Sequence, residues 1–113
     1  MRKSLVFCSL ACSLLLLGSE LLASNQMEEH KIIIKDHKFE PNNLEIIAGR
    51  KVRLVVENQD KSAEEFESHD LNREKIIGGG KSAKIHIGPL KPGVYKYFGE
   101  FNQETAQGTI TVK

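Results

Sequence analysis

From residue 30 onward the chain alternates between short runs with apolar residues at every second position and breaks rich in glycine, proline and asparagine. "HKIIIK" (30–35) is a compact β-branched stretch, and "LEII" (44–47) ends at Ala48-Gly49. "VRLVVEN" (52–58) sets Val52, Leu54 and Val56 on one face, and "EEFES" (64–68) alternates about Phe66. "AKIHI" (83–87) puts Ile85 and Ile87 opposite His86, and "VYKYF" (94–98) and "GTITVK" (108–113) follow. The breaks at Pro41-Asn42-Asn43, Asn58-Gln59-Asp60, Gly78-Gly79-Gly80, Gly88-Pro89 and Pro92-Gly93 are turn chemistry. Short strands at this spacing predict an all-β sandwich or barrel of about seven strands. No stretch holds a helical period over three turns, and only Asn102–Ala106 fits a single turn.

The first 23 residues follow a different pattern. Arg2 and Lys3 precede the uncharged apolar run "SLVFCSLACSLLLLG" (4–18), and "SELLAS" (19–24) offers small residues for cleavage after Ala23 or Ser24. That order predicts a cleaved secretory signal peptide at 1–23 and one domain at 24–113. The alternative is an uncleaved anchor, for which the run is short. Cys12 is a poor lipoprotein cleavage point because more apolar residues follow it.

Cleavage changes the chemistry available. Cys8 and Cys12 are the chain's two cysteines, and both fall in the leader. The mature chain then enters an oxidising compartment with neither a disulfide nor a thiolate ligand. Of 16 Lys+Arg, Arg2 and Lys3 leave with the leader, and of 15 Asp+Glu, Glu20 leaves, so 14 of each sign remain. A balance near zero gives no basis for nucleic acid or an anionic membrane surface as partner. No nucleophile–base pairing emerges among the serines and threonines, so no hydrolytic or transferase site is expected.

Two stretches carry a resemblance. "DHKFEPNNLEIIAGRKVRLVVENQD" (36–60) resembles the opening of bacterial cupredoxin-like domains, with F-x-P on an extended strand and a glycine turn into a strand ending in Asn. "IGPLKPGVYKYFGEF" (87–101) is similar to their second signature, P-x-x-P-G-x-Y leading into the metal loop. In detail, "EEFES", "GPLKPG" and "FGEF…TAQG" resemble periplasmic EfeO-type iron-transport domains and the separate domains associated with Ftr-type ferrous iron permeases. The resemblance implies a cupredoxin-like Greek-key β-sandwich in the periplasm, with an inner-membrane iron permease or another periplasmic protein as partner. It implies no membrane insertion of the mature chain.

In blue-copper members of that family, copper is held by His, Cys, His and Met. The matching positions here are Glu64, Gly99, Asn102 and Ala106, so type 1 copper is not expected. What remains is oxygen-rich. Glu64 shares the inward side of its strand with Phe66, and Glu100 lies in the loop expected to face it, while Glu65 and Glu67 point outward. A carboxylate turned toward an apolar end needs a partner or a cation. Hard oxygen donors suit iron, manganese or calcium, and imidazole adds copper and zinc.

The expected metal residues are therefore Glu64, Glu100, Glu67, His69 and His37. His69 follows the acidic strand, and His37 precedes the F-x-P stretch. Against this stands the ordinary reading, in which surface acids are solvated or paired with Lys38, Arg50 or Arg73. His86 should face solvent in mid-strand, and His30 should lie in a ragged start. Tyr95, Tyr97, Phe98 and Phe101 should be about half core, and "IIGGGKS" (76–82) should be a flexible turn, since it lacks the spacing of a phosphate loop. The expected function is a periplasmic metal-handling protein that binds iron or copper through carboxylate-rich ligands and serves iron uptake. The alternative is a metal-free interaction module that docks on an envelope or permease partner.

Overall fold

A computed structural model describes residues 27–113. The expected signal peptide and the first residues of the expected domain lie outside the described residues. The described chain forms nine strands and one short turn of 3-10 helix. In order they are β1 (Glu28–Lys35), β2 (Lys38–Glu40), β3 (Asn43–Ile46), β4 (Val52–Asn58), β5 (Glu64–Ser68), β6 (Arg73–Ile77), β7 (Ser82–Ile87), β8 (Gly93–Gly99) and β9 (Gln107–Val112). The 3-10 turn, Glu100–Asn102, lies between β8 and β9. Among the described residues no helix is long and apolar enough to cross a membrane.

Two sheets pack face to face, one in the order β2-β1-β4-β7 and the other β3-β9-β8-β5-β6. The pairs β1–β4 and β3–β9 are parallel and the remaining ladders antiparallel. Period-two alternation supplies the core: Ile32 and Ile34 from β1, Val52, Leu54 and Val56 from β4, and Ile110 and Val112 from β9 are buried. Each such side chain removed from water contributes about 1.5–3 kcal/mol. This is the expected all-β sandwich.

At one end of the core, Tyr97 stacks on Phe66 with centroids 5.0 Å apart, and Phe39 meets Tyr97 edge-on at 5.0 Å. Gly108, paired with Tyr97 in the ladder, is required there, because any Cβ would overlap the tyrosine ring. Of the aromatic stripe, only Tyr97 is buried outright, and Phe101 is exposed.

Strands β2 and β6 are the two beyond the seven expected. β2 is three residues long, and β6 is an edge strand in which only Ile77 is buried, so neither shows an apolar alternation. One further expectation is corrected. His30 is part of β1, bonded to Glu28 at 2.9 Å. The triple-glycine turn is pinned by Gly80 N–H to the Asp60 carbonyl (3.1 Å) and Lys81 N–H to the Gly78 carbonyl (3.0 Å). His86 does face solvent.

Candidate metal centre

Strand β5 buries two adjacent glutamates on opposite sides of its sheet. Glu64 turns inward with Phe66 and is 2% exposed. Its Oε1 accepts the backbone N–H groups of Phe101 (2.9 Å) and Glu65 (3.0 Å), and its Oε2 accepts the Asn102 side-chain amide at 2.7 Å. Three donors thus satisfy a carboxylate that would otherwise be costly to bury.

The same point gathers the other two positions matched to copper ligands. A Cβ on Gly99 would lie 2.6 Å from the Ala106 Cβ and 2.7 Å from the Glu64 carboxyl carbon. Gly99 N–H donates to the Ala106 carbonyl at 2.8 Å, and Ala106 N–H to the Asn102 carbonyl at 2.8 Å. Glu64, Gly99, Asn102 and Ala106 therefore meet around one centre, and the Glu64 carboxylate occupies the space beside Gly99 where a side chain would stand.

Glu100 does not face Glu64. Gly99 fills the inward position, so alternation sends residue 100 to the outer side, where it is exposed. Glu67 lies opposite Phe98 on β8 and Glu74 on β6. Glu65, Glu67 and Glu74 each bring a carboxylate oxygen within 4.8 Å of the others. Burial, then the Glu74 and Glu67 carboxylates, pushes the Glu65 carboxyl up to about 7. Burial followed by the Glu67 charge also raises Glu100, while His69 acts in the opposite direction.

His69 sits in the β5–β6 turn with its ring 5.5 Å from that of Phe98. The Ser68 hydroxyl fixes this turn by donating to the Lys96 carbonyl (2.7 Å) and accepting Leu71 N–H (3.0 Å). The structure thus gathers Glu67, Glu100 and His69 of the expected set on one outer face and leaves Glu64 inside.

His37 belongs to neither group. It occupies the β1–β2 turn, where Asp36 and His37 have φ of 53° and 60°. Asp60 accepts both backbone N–H groups, at 2.8 and 3.0 Å, and its carboxylate lies 3.6 Å from the His37 ring. That pairing accounts for His37 as a turn residue. Glu65 and Glu74 were missed as site candidates. Glu65 was assigned to the solvent side by alternation, and Glu74 lies on a strand without an apolar pattern. The cross-strand register that joins them was not legible.

The sequence is 56% identical over 84 residues to an uncharacterised protein of Rickettsia prowazekii (strain Madrid E), covering 74% of this chain and 67% of that one. The fold resembles the metal-binding domain of the Streptococcus pneumoniae D39 Cu(I)-exporting P-type ATPase CopA, solved with Cu(I). The TM-score is 0.71 at 15% identity, over 79% of this chain and 88% of that one. Auracyanin A, a "blue" copper protein of Chloroflexus aurantiacus, gives a TM-score of 0.68 at 14% identity over 78% and 100% of the two chains. A purple cupredoxin of Nitrosopumilus maritimus gives 0.57 at 26% identity over 74% and 98%. The family model for the cupredoxin-like domain matches residues 6–112. The chain belongs to the cupredoxin-like domain family.

Proposed function

We propose that this is a periplasmic metal-handling protein that binds an iron or copper ion through carboxylate-rich ligands and serves an iron-uptake system. One observation carries the reading. The chain keeps a frame shared with copper-binding proteins, and among the described residues the ionisable groups gathered beside its loop are glutamates, with His69. Carboxylates prefer hard ions, which favours iron over the soft copper(I) state. The iron-uptake role rests on the likeness of "EEFES", "GPLKPG" and "FGEF…TAQG" to iron-transport domains. The periplasmic location rests on the basic, apolar and small-residue order of residues 2–24.

A second reading has its own support. The Glu64 network is complete without an ion, since three donors occupy its carboxylate. A metal-free module docking on an envelope or permease partner would need nothing more there.

Calorimetric titration of the natively processed, metal-stripped protein with Cu(II), Mn(II) and anaerobic Fe(II) separates the two. Metal handling requires affinity well tighter than millimolar, a limit worth about 4 kcal/mol. Weaker binding of all three ions leaves the docking module.

A further inference from the structure

The outer face of the five-stranded sheet divides in two by charge. Its β5–β6 half carries Glu65, Glu67 and Glu74. Its β3–β9–β8 half is an open hollow of about 520 Å³, lined chiefly by Asn42, Asn43, Gln103, Gln107, Thr109 and Lys96. Four primary amides, a hydroxyl and an ammonium group meet there, and no acidic side chain is among the lining residues. That volume suits a small molecule, for which sites of about 300–1,000 Å³ are usual.

The register sets the polar groups in order. Thr109 of β9 stands opposite both Asn43 on β3 and Lys96 on β8, so the three form one row across three strands. Adjacent strands lie about 4.8 Å apart, so the row spans about 10 Å. Gln107 and Phe98, each two residues along its own strand, make the next row on the same face.

Hydrogen bonding decides which end of each amide is free. The Asn43 side-chain carbonyl accepts the Thr109 hydroxyl at 2.8 Å and the Thr111 hydroxyl at 3.2 Å. Both its lone pairs are used, and its NH2 group remains to donate. Gln107 is the reverse case. Its NH2 group donates to the Gln103 backbone carbonyl at 2.9 Å, and its side-chain carbonyl remains to accept. Among the described residues Lys96 has no ion-pair partner. Asp70 accepts its backbone N–H at 2.8 Å and does not pair with its ammonium group.

We propose that this hollow binds a small hydroxycarboxylate. Its carboxylate lies on the Lys96 ammonium and the Asn43 NH2 group, and its hydroxyl donates to the Gln107 side-chain carbonyl. Charge complementarity carries the assignment, since the one charged side chain lining the hollow is a cation and its bond to a carboxylate is of the stronger, charge-assisted kind. An anion without a hydroxyl leaves the Gln107 carbonyl unmet, and a neutral polyol leaves Lys96 unmet. The hollow lies apart from the Glu64–Gly99–Asn102–Ala106 centre, and the proposal stands whether or not the chain handles metal.

The test uses citrate as the probe, followed by amide NMR of the natively processed protein in metal-free buffer, with inorganic phosphate and glucose for comparison. Citrate should give saturable shifts at Asn43, Lys96, Gln107 and Thr109 and bind at least tenfold more tightly than phosphate, while glucose gives none. Lys96→Gln and Asn43→Asp should each weaken citrate binding at least tenfold. Asn43→Asp keeps an acceptor for both threonine hydroxyls, so it should fold, and the spread of amide signals checks this. Lys84→Gln, which removes an exposed lysine of the other sheet, should bind as the native chain does. An equal loss in Lys84→Gln would mean general attraction to surface charge, and the proposal falls. Phosphate binding as tightly as citrate would make the hollow a simple anion site, and the assignment to a hydroxycarboxylate falls. Shifts confined to other residues, or citrate affinity weaker than about millimolar, overturn it outright.

Discussion

The Asn102 side-chain amide donates to the Glu64 carboxylate at 2.7 Å, tying the loop after β8 to the buried side of β5. The bond depends on what is absent at Gly99, since a side chain there would meet the same carboxylate. Glutamate at 64, glycine at 99 and alanine at 106 are thus mutually consistent choices. Together they make a polar lock between β5 and the loop after β8.

Removing the acceptor tests the lock. Glu64→Ala leaves two backbone N–H groups and one amide without their partner in a buried place, which should cost about 3 kcal/mol. The midpoint of urea unfolding should fall with the slope unchanged. A loss under about 0.5 kcal/mol, the usual size of a surface substitution, would show that the network adds little.

The two crowded glycines give a steric prediction. Gly108→Ala would drive a methyl group into the Tyr97 ring, which is fixed between Phe66 and Phe39. Overpacking at a rigid site costs about 1–3 kcal/mol, read as a lower thermal midpoint. Gly99→Ala meets the Glu64 carboxylate and the Ala106 methyl group. It should also change the amide chemical shifts of Glu65, Phe101 and Asn102, the three donors to that carboxylate. Unchanged shifts would mean the loop yields without breaking the lock.

How much of this could be read in advance depended on period. The alternation of Val52, Leu54 and Val56 identified β4, and the position of Phe66 set Glu64 inward, as found. β6 could not be read that way, because its ladder partners rather than its own residues place it in the sheet. The outer cluster depends on that strand, so it was equally hidden. The expected pairing of Glu100 with Glu64 failed for a related reason: Gly99 takes the inward place, and residue 100 must then leave it.

Asp60 gives an acid-side prediction. The His37 backbone N–H, followed by that of Asp36, holds its carboxyl below the usual aspartate value of 3.8. A depressed folded value means the contribution to stability is present above about 3.8 and is lost as pH falls below it. Asp60→Asn keeps one carbonyl acceptor, so it should cost about 1 kcal/mol at pH 7 and flatten the stability profile below pH 4. An identical acid slope in the variant would show that this turn does not contribute.

Glu65 acts with the opposite sign. Its carboxyl is raised from 4.5 to about 7 by burial first, and then by Glu74 and Glu67. Between those values the folded chain holds a proton that the unfolded chain releases, so stability falls as pH rises through the window. Above about 7 the folded carboxyl also ionises, and the decline levels off. In a chelating buffer, the urea midpoint should therefore be higher at pH 5 than at pH 8. Glu65→Gln, neutral in both states, should remove that slope and raise the midpoint at pH 8. Glu74→Gln removes one repelling charge and should shift the decline to higher pH. A native profile that is flat from pH 5 to 8 would show that the buried carboxylate finds a partner in solution.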